Sequence, residues 1–204
     1  MPGRITLITM LGLALLALLS GAGLMFALTT SGPPEQSSSS SAAIGGPFTL
    51  IDTKGETITD QIYRGKWMLI YFGYTFCPDA CPTALNNMSV ALEKLGAEAN
   101  KIEPIFITVD PKRDTPPAMG EYLKSFDHRI IGLTGSQTQT DTVAREYRIY
   151  VEPQKSEGDD YLVDHSAYIY LMDPQGKFVN VVAGDVPGDE MAEKLRKMMK
   201  QRGA

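Results

Sequence analysis

With 43% hydrophobic and 21% charged residues over 204 positions, the composition is that of an ordinary globular protein carrying an extra apolar segment, and one folded domain is the natural count. A net charge of −5 with scattered basic residues excludes a nucleic-acid surface, because phosphate contacts need clustered Lys and Arg.

From Ile5 to Leu28 no charged residue occurs and Leu, Ala, Gly, Ile, Met and Phe dominate, long enough for a helix to cross a bilayer. Arg4 precedes this stretch and no basic residue follows it before Lys54, so the positive-inside rule leaves the tail in the cytoplasm and the body across the membrane. A cleaved signal peptide shares these features, but the apolar run exceeds a usual signal core and no clean Ala-x-Ala site follows. Either way the body is exported. Without an Arg- and Ser-rich transit sequence, the expectation is a bacterial inner-membrane protein, single-pass, with its soluble domain in the periplasm.

Residues 29–46 are rich in Ser, Pro and Gly, with a serine run from Ser37 to Ser41, and read as a flexible linker between an anchor at 1–28 and a domain at 47–204. Phe48, Leu50 and the turn Asp52–Gly55 predict a short strand or hairpin. Trp67–Tyr71 is a continuous apolar run of the kind buried on both faces of a sheet.

Directly after that run come Cys77 and Cys81, the only two cysteines. Two thiols at this spacing can coordinate a soft metal, close into a disulfide or attack a substrate. A structural disulfide is permitted outside the cytoplasm, yet so short a loop would constrain the unfolded chain little.

Leu85, Met88, Leu92 and Leu95 fall on one helical face and Gly96 supplies a stop, predicting a helix over Pro82–Leu95 with Cys81 at its N-terminal edge. Further along, the pattern predicts a strand at Ile105–Val109, a helix at Pro116–Phe126, a strand at Ile130–Leu133 and a helix at Gln137–Tyr147 with Val143 and Tyr147 inward. Ser166–Met172 and Phe178–Val182 flank the turn Asp173–Gly176 as an antiparallel hairpin, and Met191–Met199 forms the last helix. A strand, a cysteine loop opening a helix, parallel crossovers and a terminal hairpin plus helix make an α/β, thioredoxin-like order: a central mixed sheet flanked by helices, behind an N-terminal transmembrane helix.

Four stretches carry a family resemblance: Tyr71 to Pro82 (YFGYTFCPDACP), Phe106 to Pro111 with Arg113 to Pro116, Ile131 to Gly135, and Tyr161 to Ser166 before Tyr170-Leu171. Together they resemble the Sco/SenC family of copper-binding proteins that assist cytochrome c oxidase assembly. The resemblance implies a membrane-anchored thioredoxin-like domain holding copper through Cys77, Cys81 and His165. Its implied partners are the copper-receiving subunit of cytochrome c oxidase and, as donor, another periplasmic copper chaperone.

The chemistry of those residues agrees. A helix N-terminus favours thiolates, the metal-binding form; Pro82 biases Cys81 away from helical geometry, so a loop-to-helix bend is expected there. Two thiolates and one imidazole suit Cu(I) through sulfur and Cu(II) through nitrogen, whereas structural zinc normally wants a fourth ligand. The other histidine, His128, lies between polar neighbours and reads as a surface residue. In a thioredoxin-like domain the segment holding His165 faces the cysteine loop. Thioredoxins carry a cis-proline there; the lack of a proline here favours a ligand over a disulfide-docking role.

Asp110 ends a buried strand at the ligand-binding edge of the sheet and could orient His165, or simply serve a turn or helix cap, as could Asp79, Asp114 and Asp164. Tyr74, Thr75 and Phe76 are expected to shape the loop and shield the metal. Of the 10 methionines, Met88, Met191, Met198 and Met199 are explained by helix faces rather than by copper.

Three functions compete. A metallochaperone passes copper on by ligand exchange and needs no catalytic acid or base. A thiol-disulfide oxidoreductase reducing the cysteines of the copper-receiving subunit would use Cys77 and Cys81 as a redox-active pair. A peroxiredoxin-like peroxidase shares the fold but has no need of His165.

Overall fold

The computed structural model describes residues 43–155 and 160–202. The expected membrane span Ile5–Leu28 lies outside the described residues; among those described, no helix is long and apolar enough to cross a membrane.

The chain enters early into the core. Ile44 packs against it, and the Gly45 N–H donates to the Glu146 carbonyl at 2.8 Å. Strands β1 (Thr49–Asp52) and β2 (Thr57–Thr59) form the N-terminal hairpin. Then come β3 (Trp67–Gly73), helix α1 (Ala80–Leu95), β4 (Ile102–Thr108), α2 (Pro116–Leu123), β5 (Ile131–Thr134) and α3 (Gln137–Glu146). A small ribbon of β6 (Val151–Pro153) and β7 (Val163–His165) precedes the hairpin β8 (Tyr168–Met172) and β9 (Phe178–Ala183), and α4 (Gly188–Arg202) closes the domain.

Seven strands form one mixed sheet in the order β2-β1-β5-β4-β3-β8-β9. The β3/β4 and β4/β5 pairs are parallel, while β8 returns antiparallel to β3. Every residue of β3 is buried, which is why its sequence shows no alternation. On one face of the sheet, Tyr71 and Gly73 meet α1, and Phe106 meets Tyr122 of α2. On the other, Phe72, Tyr147 and Tyr170 form an aromatic cluster with centroids 5.3–6.1 Å apart.

Helix α1 buries Leu85, Met88 and Leu92 completely, each worth roughly 1.5–3 kcal/mol relative to exposure. Gly96 ends it with φ 57°, a value costly for a residue with a side chain. Helix α3 starts on a capping box: Ser136 Oγ accepts from the Gln139 N–H while Gln139 Oε1 accepts from the Ser136 N–H.

Three local expectations change. Helix α1 begins at Ala80, so Cys81 lies inside its first turn rather than in a bend; Pro82 is tolerated there because first-turn N–H groups have no intrahelical acceptor. Helix α2 stops at Leu123, and the chain to Phe126 winds tighter, with the Lys124, Ser125 and Phe126 amides bonding three residues back. The β6–β7 ribbon was not foreseen, because strands of three residues are too short for a period to register.

Candidate metal centre

Cys77 sits in the loop between β3 and α1, half-buried, and its N–H donates to the Tyr74 carbonyl at 3.3 Å. Cys81, wholly buried in the first turn of α1, donates its N–H to Cys77 Sγ at 3.3 Å. This is a helix N-terminus used as an anion site, with a free backbone donor pointed at sulfur. Both cysteines are free thiols. The last residue of β7, His165, places Nε2 3.4 Å from Cys81 Sγ.

The two Sγ atoms and one ring nitrogen all lie within 4.8 Å of one another. Metal bonds of about 2.0–2.3 Å put the donors of a three-coordinate ion roughly 3.5–4 Å apart, so this set needs only slight closure to embrace one ion. His165 Nδ1 stands 3.1 Å from the Ser166 carbonyl oxygen, which can only accept. The ring proton therefore resides on Nδ1, and Nε2 turns its lone pair toward the sulfurs.

The two thiols differ in acidity. The hydrogen bond from Cys81, reinforced by the backbone N–H of Cys81, holds Cys77 well below the usual thiol range. The same hydrogen bond, together with burial, pushes Cys81 up. Of the two, Cys77 is the readier thiolate and Cys81 the one that keeps its proton, which a metal bound by both sulfurs displaces.

Tyrosines frame the imidazole. Tyr71 and Tyr74 meet the His165 ring edge-on at 6.1 and 5.8 Å between centroids. The Tyr71 hydroxyl donates toward Cys81 Sγ at 3.9 Å, and burial keeps that hydroxyl protonated by raising its pKa. Tyr74 Oη accepts from the Val163 N–H at 3.2 Å, linking the cysteine loop to the histidine strand. Gly73 is where the sheet lets Cys81 in, for a Cβ there would stand 2.6 Å from Cys81 Sγ.

Several expected roles shift. Asp110 does not orient His165; it accepts from the Tyr161 hydroxyl at 2.7 Å and pairs with Arg113. Asp114 caps no helix. Fully buried, it accepts from Thr75 N–H (3.0 Å), Thr75 Oγ1 (2.6 Å) and Thr108 Oγ1 (2.7 Å), tying the cysteine loop to the end of β4. Asp79 precedes α1 without a side-chain cap bond, and Asp164 accepts from Gln154, the residue that follows β6. Phe76 is 56% exposed and leaves the site open on its side. His128 is on the surface, 93% exposed. Tyr71 and Gly73 were missed as site residues; the available signal was their i, i+2 spacing at the end of the strand that feeds the cysteine loop.

Fold and site together define a thioredoxin-like domain with a clustered thiol, thiol and imidazole donor set at the sheet edge. The chain belongs to the SCO1/SenC family, whose model matches residues 36–200. It is 42% identical over 179 residues to the mitochondrial Protein SCO1 homolog 2 of Arabidopsis thaliana, covering 87% of this chain and 62% of that one. Across four such relatives the match spans 48–62% of the relative's own length. The structure of Bradyrhizobium japonicum ScoI with copper bound superimposes with a TM-score of 0.71 at 45% identity, covering 76% of this chain and 99% of ScoI. BsSco, described as having a disulfide switch and as a member of the Sco family of cytochrome c oxidase assembly proteins, gives a TM-score of 0.63 at 25% identity, over 77% and 94% of the two chains.

Proposed function

We propose that this chain is a membrane-anchored copper metallochaperone for the copper centre of cytochrome c oxidase, binding one copper through Cys77, Cys81 and His165. The observation that carries the reading is the gathering of two thiol sulfurs and an imidazole nitrogen within 4.8 Å, the imidazole coming from 84 residues beyond Cys81. The donor set fits copper: sulfur suits Cu(I), and Nε2, its lone pair free, suits Cu(II). The copper-bound ScoI likeness supports the choice of metal, and the BsSco likeness supports the oxidase context. Copper comes from a periplasmic donor chaperone and leaves to the copper-receiving oxidase subunit by ligand exchange at Cys77, the half-exposed ligand. In this reading residues 1–28 anchor the domain to the bacterial inner membrane, the linker 29–46 tethers it up to about Ile44, where the chain joins the core, and the domain faces the periplasm.

The test is a copper titration of the reduced full-length protein in detergent, with absorption spectroscopy for sulfur-to-Cu(II) charge transfer. One copper per chain is expected, and Cys77→Ser, Cys81→Ser and His165→Ala each cripple Cu(II) binding. A His165→Ala protein that binds Cu(II) like the parent overturns the three-ligand site.

A second reading is favoured by one arrangement, the half-buried Cys77, its pKa lowered, beside a buried Cys81 whose pKa is raised. Cys77 thiolate attacks a disulfide of the receiving subunit and Cys81 resolves the mixed disulfide. The chain's dithiol is oxidised and the partner's disulfide reduced by two electrons. Absence of disulfide exchange with a metal-free, oxidised receiving subunit would remove this reading and leave the first intact.

A further inference from the structure

His165 is delivered to the cysteines by a ribbon outside the main sheet: among the described residues β7 pairs with β6 alone, three residues to a strand. So short a ribbon is not stable on its own. Besides the bond from the Val163 N–H to Tyr74 Oη, it is held two residues before its start, at Tyr161.

The Arg113 guanidinium lies 3.8 Å from the centroid of the Tyr161 ring, 4.7 Å from that of Phe76 and 5.6 Å from that of Tyr74. The Tyr161 hydroxyl donates to Asp110 Oδ1 at 2.7 Å, and Arg113 Nε donates to the other Asp110 oxygen. Asp110 is 4% exposed and the Arg113 side chain 10%, so this ion pair is shielded from solvent and far less screened than a surface pair. Three segments meet on one cation: the cysteine loop through Tyr74 and Phe76, the turn after β4 through Asp110, and the histidine arm through Tyr161.

We infer that Asp110, Arg113 and Tyr161 form a latch that holds the β7 arm against the cysteine loop and so sets the position of His165 relative to Cys77 and Cys81. This deepens the copper reading and rests on it for its metal-binding consequence. A cation stacked on an aromatic face is attracted by the ring's quadrupole. The hydrogen bond to a buried carboxylate is charge-assisted and stronger than a neutral one. Both are lost together when Tyr161 is truncated, and both act on an arm that carries one metal ligand. Tyr161, Arg113 and Asp110 touch no ligand atom; they are positioning residues.

The variants are Tyr161→Ala, which removes stack and hydrogen bond, Tyr161→Phe, which keeps the stack, and Arg113→Lys, which keeps the charge but not the planar surface. Each is made in the full-length chain, alone and with His165→Ala. Groups that orient a metal ligand typically matter 10- to 100-fold in metal affinity. Tyr161→Ala is therefore expected to weaken Cu(II) binding at least tenfold, with Tyr161→Phe and Arg113→Lys between it and the parent. In the His165→Ala background Tyr161→Ala is expected to change Cu(II) affinity less than twofold, because the latch acts through the imidazole. An equal loss in both backgrounds shows a general structural role and overturns the latch. Metal-free hydrogen exchange supplies a second readout: the Val163 amide, which bonds Tyr74 Oη, exchanges at least tenfold faster in Tyr161→Ala while the β3 and β4 amides keep their parent rates. Unchanged Val163 exchange also overturns the latch. A parent protein that binds no copper, or a His165→Ala protein that binds it unchanged, sinks the copper reading instead, and the exchange measurement then decides the latch alone.

Discussion

Replacing Gly73 with alanine puts one methyl group between the sheet and the metal centre. Its Cβ would lie 2.6 Å from Cys81 Sγ, 2.9 Å from Phe106 Cε2 and 3.1 Å from Tyr71 Cε1. Comfortable contacts are about 3.5–4.0 Å, so the sulfur must retreat by roughly 1 Å. None of the three neighbours is a free side-chain end. Cys81 is fixed in the first turn of α1, and Phe106 and Tyr71 belong to central strands packed on both faces. Overpacking of this kind costs about 1–3 kcal/mol. A ligand displaced by 1 Å also exceeds the roughly 0.5 Å tolerance of a functional constellation. Gly73→Ala is therefore expected to lose stability and copper affinity together. Trp67, the single tryptophan, is buried at the start of the same strand and reports urea unfolding of the reduced, metal-free protein; Cu(II) titration reports the site. Gly120→Ala in α2 is the control. Its Cβ would meet nothing nearer than 3.5 Å, so alanine there is expected to be neutral or to stabilise by about 0.5–1 kcal/mol. A Gly73→Ala protein with the parent's urea midpoint and copper affinity would refute the close-packing argument.

Alkylation by iodoacetamide at pH 6 is expected to label Cys77 and spare Cys81, since the first is half-exposed and shifted toward thiolate while the second is buried and shifted toward thiol. Cys81→Ala removes the hydrogen bond that lowers Cys77, so the pH at which Cys77 becomes reactive rises toward that of an ordinary thiol; mass spectrometry across a pH series checks both, and equal labelling of the two cysteines contradicts the assignment. Asp127 is held below the usual carboxylate range, chiefly by its hydrogen bond from the Arg129 side chain. Its stabilisation is therefore present above the unfolded carboxylate pKa and fades as pH falls through the lowered folded value. The gap in urea midpoint between parent and Asp127→Asn is expected to shrink from pH 5 toward pH 2, and a constant gap argues against the linkage. Ser136→Ala removes one half of the α3 capping box and is expected to cost about 1 kcal/mol in urea without moving copper affinity; a loss of copper binding would connect α3 to the site in a way the structure does not show.

Much of the architecture was legible because the strands and helices that build the sheet are strongly patterned. The unbroken apolar run at β3 and the stripe of Leu85, Met88 and Leu92 each permit one reading. The ligand trio was legible through family resemblance; spacing alone left Cys77 and Cys81 as thiols of undecided use and said nothing of His165. What escaped were the features set by tertiary contact. For Asp110 the strand edge left two readings open, a partner for His165 or a turn or capping carboxylate, and neither named Arg113 and Tyr161, which claim both its oxygens. Phe76 looked like a shield because it adjoins Cys77, but it turns outward onto the Arg113 guanidinium. Position along a strand fixes which edge a residue reaches, and only competition among neighbours fixes which group it meets.

Cys81 and His165 are 84 residues apart, and this separation has a consequence for biosynthesis. A ribosome adding 5–20 residues per second takes roughly 4–17 s to travel between them. The growing chain therefore carries a dithiol before it owns the imidazole that completes the site. A truncation between residues 81 and 165 leaves a protein with both thiols and no third ligand, open to oxidation and ill-suited to Cu(II).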